Sequence, residues 1–147
     1  MTSFSHTHPG DTFALPFALA LAVGRWGCFF NGCCYGTPTT LPWAADFGDG
    51  VPRHPTQVYE TLFHAVMAVI LLWCIGRGWF RCQRLKLYLI AYAAFRFLTE
   101  FIRPEPLVGL GMTFYQWIAL LGGLALAAQW WWDARSAAAG QPRAACL

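Results

Sequence analysis

The sequence predicts an all-α fold, a polytopic membrane bundle of about four transmembrane helices. Three observations carry this. Of 147 residues, 57% are hydrophobic and only 12% charged, against roughly 25% charged in an ordinary soluble domain. The apolar residues gather into runs close to the roughly 20 residues a helix needs to cross hydrocarbon. Finally, Arg96 and Glu100 stand four residues apart inside the apolar run 85–102, so they share a helix face and pair there. Ionisable groups at bilayer depth cost several kcal/mol, so a span that keeps them turns them into a cavity or bundle interior.

The spans fall at residues 12–30, 59–76, 85–102 and 113–132, between a tail at 1–11 and a flexible, Ala-rich tail at 133–147. Residues 14–23 are short enough for a signal-peptide core, but no Lys or Arg precedes them, so a first membrane helix is the better reading. Arg77, Arg81, Arg84 and Lys86 form the densest basic stretch, and the positive-inside rule places that loop in the cytoplasm. Both termini then face the cytoplasm, in agreement with Arg135 and Arg143, and Trp130–Trp132 form an interfacial anchor. A net charge of +3, scattered along the chain, gives no basis for a nucleic-acid partner.

Six cysteines divide into a cluster, Cys28, Cys33 and Cys34, and the scattered Cys74, Cys82 and Cys146. The C-x4-C-C spacing matches no standard zinc pattern, so no metal site is expected. A disulfide within the cluster stays open, and Cys74 reads as a small buried apolar residue.

Three constellations carry chemistry. Gly24-Arg25-Trp26-Gly27-Cys28-Phe29-Phe30-Asn31-Gly32-Cys33-Cys34-Tyr35-Gly36 interrupts an apolar run with glycines that permit close backbone approach, to a helix or to a ligand. Its Arg25 is a fixed cation with a donor fork suited to phosphate. His54-Pro55-Thr56-Gln57-Val58-Tyr59-Glu60 opens the second span: Pro55 holds His54 extended, and Gln57 and Glu60 are placed for capping contacts. His54 is the most plausible titratable base by residue type, although a loop histidine is more often simply solvated. His64 is expected to hydrogen-bond within the bundle, and His6 and His8 lie in the N-terminal tail. Tyr92, Arg96, Glu100 and Arg103 recur at spacings of four, four and three, one polar stripe on a helix ending near Pro104. With Arg25 they leave a positive excess that an anionic ligand would balance.

In these residues the chain resembles the prolipoprotein diacylglyceryl transferase family, as a short or N-terminally truncated member. Residues 24–36 are similar to the signature G-R-x-G-N-F-x-N-G-E-x-x-G, with Cys28 at its first asparagine and Cys33 at its glutamate. Residues 54–60 resemble H-P-S-Q-L-Y-E, residues 92–106 resemble Y-x-x-x-R-F-x-x-E-F-x-R-x-P, and Gln116-Trp117 resembles a G-Q-W segment. The resemblance implies transfer of the diacylglyceryl group of phosphatidylglycerol to the thiol of a prolipoprotein lipobox cysteine, without a cofactor, at the non-cytoplasmic face of a bacterial inner (plasma) membrane. It implies catalytic roles for Arg25, Arg96, Glu100 and Tyr92, and substrate contacts for Asn31, Gly36, His54, Gln57, Tyr59, Glu60 and Arg103. The earlier helices of the family are not in this sequence, and another membrane protein supplying them is an expected partner beside the lipid bilayer. Two other readings stand beside it: a relative using Cys28, Cys33 and Cys34 in thiol chemistry, and a non-catalytic phospholipid-binding membrane protein.

Overall fold

The structure is a computed structural model that describes residues 9–138. Residues 1–8 and 139–147 of the two expected tails, with His6, His8, Arg143 and Cys146, lie outside the described residues. Four helices run α1 (Pro9–Phe30), α2 (Thr56–Arg77), α3 (Arg84–Thr99) and α4 (Phe114–Ala138). A 3-10 turn, Glu100–Ile102, prolongs α3. Pro16 lies inside α1 without ending it, a placement that membrane helices tolerate. Helix α4 continues to Ala138, through the first residues assigned to the flexible tail.

By length and composition α1 (over Asp11–Phe30) and α2 qualify to cross a membrane. Helix α3 has 16 residues, short of the roughly 20 a perpendicular span needs. In α4, Gln116, Gln129 and the run Trp130–Trp132 dilute the apolar content. Only 11% of the α1 window and 33% of the α2 window are buried inside the protein. A soluble core helix hides its apolar face; here Phe13, Phe17, Val23, Leu62, Val66 and Val69 point outward, as they do in a helix that faces lipid or a neighbouring membrane helix. The chain is an all-α membrane protein.

The core is small. Ala14 and Ala18 recur at one-turn spacing on α1 and meet Met67, Ala68 and Leu71 of α2 and Tyr88 of α3. Small residues let the α1 and α2 backbones approach, the usual contact where lipid removes any hydrophobic drive between helices. Helix α1 packs chiefly on α2, and α3 on α4. Buried Cys74 fits the expectation of a small apolar residue.

Because neighbouring helices alternate direction, the charges sort to two ends. At one end Asp11 accepts the backbone N–H groups of Cys82 (2.6 Å) and Arg84 (3.1 Å), capping the start of α3 from another helix. Its carboxylate also pairs with the Arg84 guanidinium at 3.4 Å. Lys86, buried, pairs with Asp133 of α4, which also accepts from Gln83 at 3.2 Å. Lys86 holds the Asp133 carboxyl below its ordinary value of 3.8. Two residues of the basic loop are thus neutralised, while Arg81 is exposed and Arg77 lies over the Trp73 ring at 5.6 Å.

At the other end, the α1–α2 connection carries the hairpin β1 (Ala45–Asp46) and β2 (Pro52–Arg53). Asp46 Oδ1 accepts the Gly48 and Gly50 N–H groups at 2.9 and 3.0 Å to shape its tip, and Asp49 pairs with Arg53. Arg53, through that hydrogen bond, holds the Asp49 carboxyl below its ordinary value. A second hairpin, β3 (Leu107–Gly109) and β4 (Met112–Thr113), delivers the chain to α4. There Gln116 N–H donates to Thr113 Oγ1 (3.2 Å) and Thr113 N–H donates to Gln116 Oε1 (2.9 Å), a reciprocal capping box.

Candidate functional site

Glu60 stands at the centre of this second end. Its side chain, 2% exposed, contacts Arg25 of α1 at 2.5 Å, Arg96 of α3 at 3.2 Å and Arg103 at 3.5 Å. Arg96 also reaches Glu100 at 3.3 Å, the expected pair one turn apart. Glu100 accepts from Thr113 Oγ1 at 3.1 Å, which ties the cluster to the capping box of α4. Arginines from α1, from α3 and from the segment after the 3-10 turn therefore converge on one carboxylate of α2. The expectation that Glu60 and Gln57 cap α2 is corrected: no side chain caps that helix, whose N-cap is Pro55. The first turn is instead rotated so that Glu60 faces the arginines.

The cluster is polarised. Glu60 and Glu100 are 2% and 0% exposed, while the side chains of Arg25, Arg96 and Arg103 are 21%, 15% and 11% exposed. The carboxylates lie behind and the guanidinium edges in front. Three cations face two buried anions; Glu105, at 4.0 Å from Arg103, would cancel the excess, but it is 32% exposed and sits on the outer side. Arg25 Nε and Arg103 Nε are buried with no acceptor among the described residues. Such orphaned donors are costly unless an acceptor meets them. Tyr92 interacts with Arg25 and packs at a tilt against His64, 5.1 Å between ring centroids. Arg96 also lies over the Tyr115 ring at 5.7 Å.

The other expected residues form a brace beside the cluster. Thr56 Oγ1 donates to the Cys34 carbonyl at 2.5 Å and Gln57 Nε2 to the Cys33 carbonyl at 2.6 Å, so the first turn of α2 grips the loop after α1. Gly36 N–H donates to the His54 carbonyl and Thr37 N–H to the Ile102 carbonyl, both at 2.8 Å. A Cβ at Gly36 would lie 2.7 Å from His54 Cβ and 2.7 Å from the Ile102 carbonyl oxygen, so only glycine fits. His54 Nδ1 lies 3.2 Å from the Tyr59 hydroxyl, which accepts from Trp43 Nε1 at 2.9 Å. These two residues face the hairpin rather than the arginines. Asn31 is exposed, and no hydrogen bond of its side chain is found among the described residues. A Cβ at Gly24 or Gly27 meets nothing within 4 Å, so the close packing expected there is not made with the described residues.

Sequence reasoning missed two things here. The spacing of the motif places Glu60 near the start of α2 and the family resemblance makes it a substrate contact, but neither shows three arginines converging on it, because that convergence is long-range. The Thr113–Gln116 capping box had a readable signal, Thr-x-x-Gln at the head of an apolar run, but not its link to Glu100. Within the bundle, His64 Nδ1 is 2.9 Å from the Tyr88 hydroxyl, the internal hydrogen bond expected of it.

The cysteine cluster differs from expectation as well. The spacing of Cys28, Cys33 and Cys34 argued against a ligand set, yet their sulfur atoms all lie within 4.8 Å of one another. All three are free thiols.

Comparison with known proteins agrees with these motifs. A family model described as prolipoprotein diacylglyceryl transferase matches residues 2–132. A phosphatidylglycerol-prolipoprotein diacylglyceryl transferase of Bordetella parapertussis is 40% identical over 123 residues, covering 75% of this chain and 45% of the relative. The protein of that name from Bordetella avium is 41% identical over 132 residues (79% and 48%), and that from Cupriavidus metallidurans 40% over 118 residues (75% and 44%). The chain thus spans about half the length of the curated relatives it matches. No solved structure matches it.

Proposed function

This chain belongs to the prolipoprotein diacylglyceryl transferase family, and from that premise we propose that it transfers the diacylglyceryl group of phosphatidylglycerol to a prolipoprotein lipobox cysteine. The single observation that carries the reading is the polarised cluster, in which buried Glu60 and Glu100 orient three arginines whose edges remain accessible. The substrate thiolate attacks the glyceryl carbon that bears the phosphate ester. A C–S bond forms, the C–O bond breaks, and glycerol phosphate departs with the electron pair, while the thiol proton passes to a base. Charge grows on the departing oxygen. Preorganised cations in a site of low dielectric stabilise that charge without reorganising.

Arg25 and Arg96 grip the phosphate and Arg103 extends the cationic wall, with the buried Nε–H groups of Arg25 and Arg103 supplying donors to its oxygens. Tyr92 positions Arg25 and offers its hydroxyl to the headgroup. Glu60 and Glu100 act as positioning residues, since each is already committed to arginine. Gly36, Gln57, His54 and Tyr59 hold the loop and hairpin that wall the cluster, and Asn31 meets the substrate from the exposed side.

The protein sits in the bacterial inner membrane with both termini cytoplasmic and the arginine cluster on the opposite face. The exposed Arg81 in the loop between α2 and α3 supports that orientation. A partner membrane segment covers the open face of α1 at Gly24 and Gly27.

The test is a transfer assay with the purified chain in phosphatidylglycerol micelles and a lipobox peptide, following thioether product by mass. Product that disappears in both Arg25→Ala and Arg96→Ala supports the transferase. No product, with phosphatidylglycerol still retained through the same arginines, would leave a phospholipid-binding protein.

A further inference from the structure

The thiols of Cys28, Cys33 and Cys34 fall outside the arginine chemistry, and their arrangement is built by the fold rather than by their spacing. Cys28 lies in the last turns of α1, and Cys33 N–H donates to the Cys28 carbonyl at 3.1 Å, folding the chain back over the helix end. Cys33 Sγ also points at that carbonyl, 3.6 Å away. Cys34 has a left-handed backbone, φ +64°, uncommon for a side-chain-bearing residue, which turns its side chain toward the other two. The carbonyls of Cys33 and Cys34 are held by Gln57 and Thr56, so both positions are pinned to α2.

We propose that Cys28, Cys33 and Cys34 form a three-thiolate site for a soft monovalent cation of the Cu(I) class. All three sulfurs lie within 4.8 Å of one another. Metal–sulfur bonds of about 2.3 Å place bound sulfurs somewhat under 4 Å apart, so closure asks for side-chain shifts of about 1 Å or less. Among the described residues no His, Asp or Glu joins the group, and Cys34 is exposed. A structural zinc site takes four protein ligands, whereas an all-thiolate set with three members selects a softer, low-coordinate ion. Cys28 and Cys33 occupy signature positions where the resembled family has asparagine and glutamate. A thiol replaces neither as a hydrogen-bonding group; it does supply a soft ligand.

The measurement is anaerobic titration of the full chain, reduced and in detergent micelles, with Cu(I) against a competing chelator. Native mass spectrometry reads the stoichiometry, and no phospholipid is present. One Cu(I) per chain beyond that retained by the Cys28→Ser/Cys33→Ser/Cys34→Ser variant is expected, with each single serine variant losing at least tenfold in affinity. The Cys28→Asn/Cys33→Glu variant, which restores the signature residues, guards against misfolding and should lose the same equivalent. Zn(II) under the same conditions should be displaced by Cu(I). Equal Cu(I) retention by the wild-type chain and by the well-folded Cys28→Asn/Cys33→Glu variant would overturn the proposal. So would a reduced chain that binds none.

Discussion

At one end of the bundle each carboxylate has its own cation, Asp11 with Arg84 and Asp133 with Lys86; at the other, Glu60 is shared by Arg25, Arg96 and Arg103. The first arrangement closes on itself. Asp11 spends its remaining lone pairs on backbone N–H groups at the start of α3, and Asp133 on Gln83, so these pairs join helices. The second leaves the buried Nε–H groups of Arg25 and Arg103 without acceptors among the described residues. Both are ion-pair clusters at a helix-bundle end, yet in one each carboxylate has its own cation and in the other a single carboxylate is shared by three. Stoichiometry and the direction in which the cations face distinguish them.

The comparison breaks most severely at Glu60. Glu60→Gln leaves three arginines facing one another around a buried amide, and removing one partner of a buried cluster typically costs about 3–5 kcal/mol. Thermal unfolding in micelles should fall accordingly and thioether product should vanish; a stable, active variant would show that Glu60 organises nothing. Gly36→Ala comes next. Its methyl would meet the Ile102 carbonyl and His54, so the loop must move, at about 1–3 kcal/mol and a loss of roughly tenfold or more in transfer rate. Full activity would mean that the loop is not part of the wall.

At the closed end Lys86→Met should act on stability alone, by about 1 kcal/mol once partial exposure of the pair is allowed for, with phosphatidylglycerol retention unchanged. It should also alter the acid response. Because Lys86 depresses the Asp133 pKa, the stabilisation is complete above the ordinary value of 3.8 and is lost as pH falls through the lower folded value. Acid unfolding of the wild-type chain should therefore include a component below that value which the variant lacks. The smallest effect is expected at Glu105, on the outer side of Arg103. Glu105→Gln removes the charge that offsets the excess and should tighten binding of an anionic headgroup about twofold, more at low salt. Weaker binding would place Glu105 inside the recognition surface.

The apolar runs were enough to locate the helices, since each is a local pattern of hydropathy. The Arg96–Glu100 pair was readable for the same reason: two residues four apart on a helix have no choice of partner face. Where each helix stopped mattered more than the pattern showed. Helix α3 gives way to a 3-10 turn at Glu100, which carries Glu100 toward Thr113 and releases Arg103 to reach across to Glu60.

By itself, then, the sequence determined a membrane-embedded helical chain with more fixed cations than anions along its polar positions, because composition, periodicity and short-range spacing are properties of the string. Only the tertiary structure decided that Glu60 serves three arginines, that Asp11 caps a helix more than 70 residues away, and that three thiols of unpromising spacing meet. Those outcomes depend on how antiparallel helices set their ends side by side. Contacts between residues far apart in the chain are fixed by packing, and no local pattern records them.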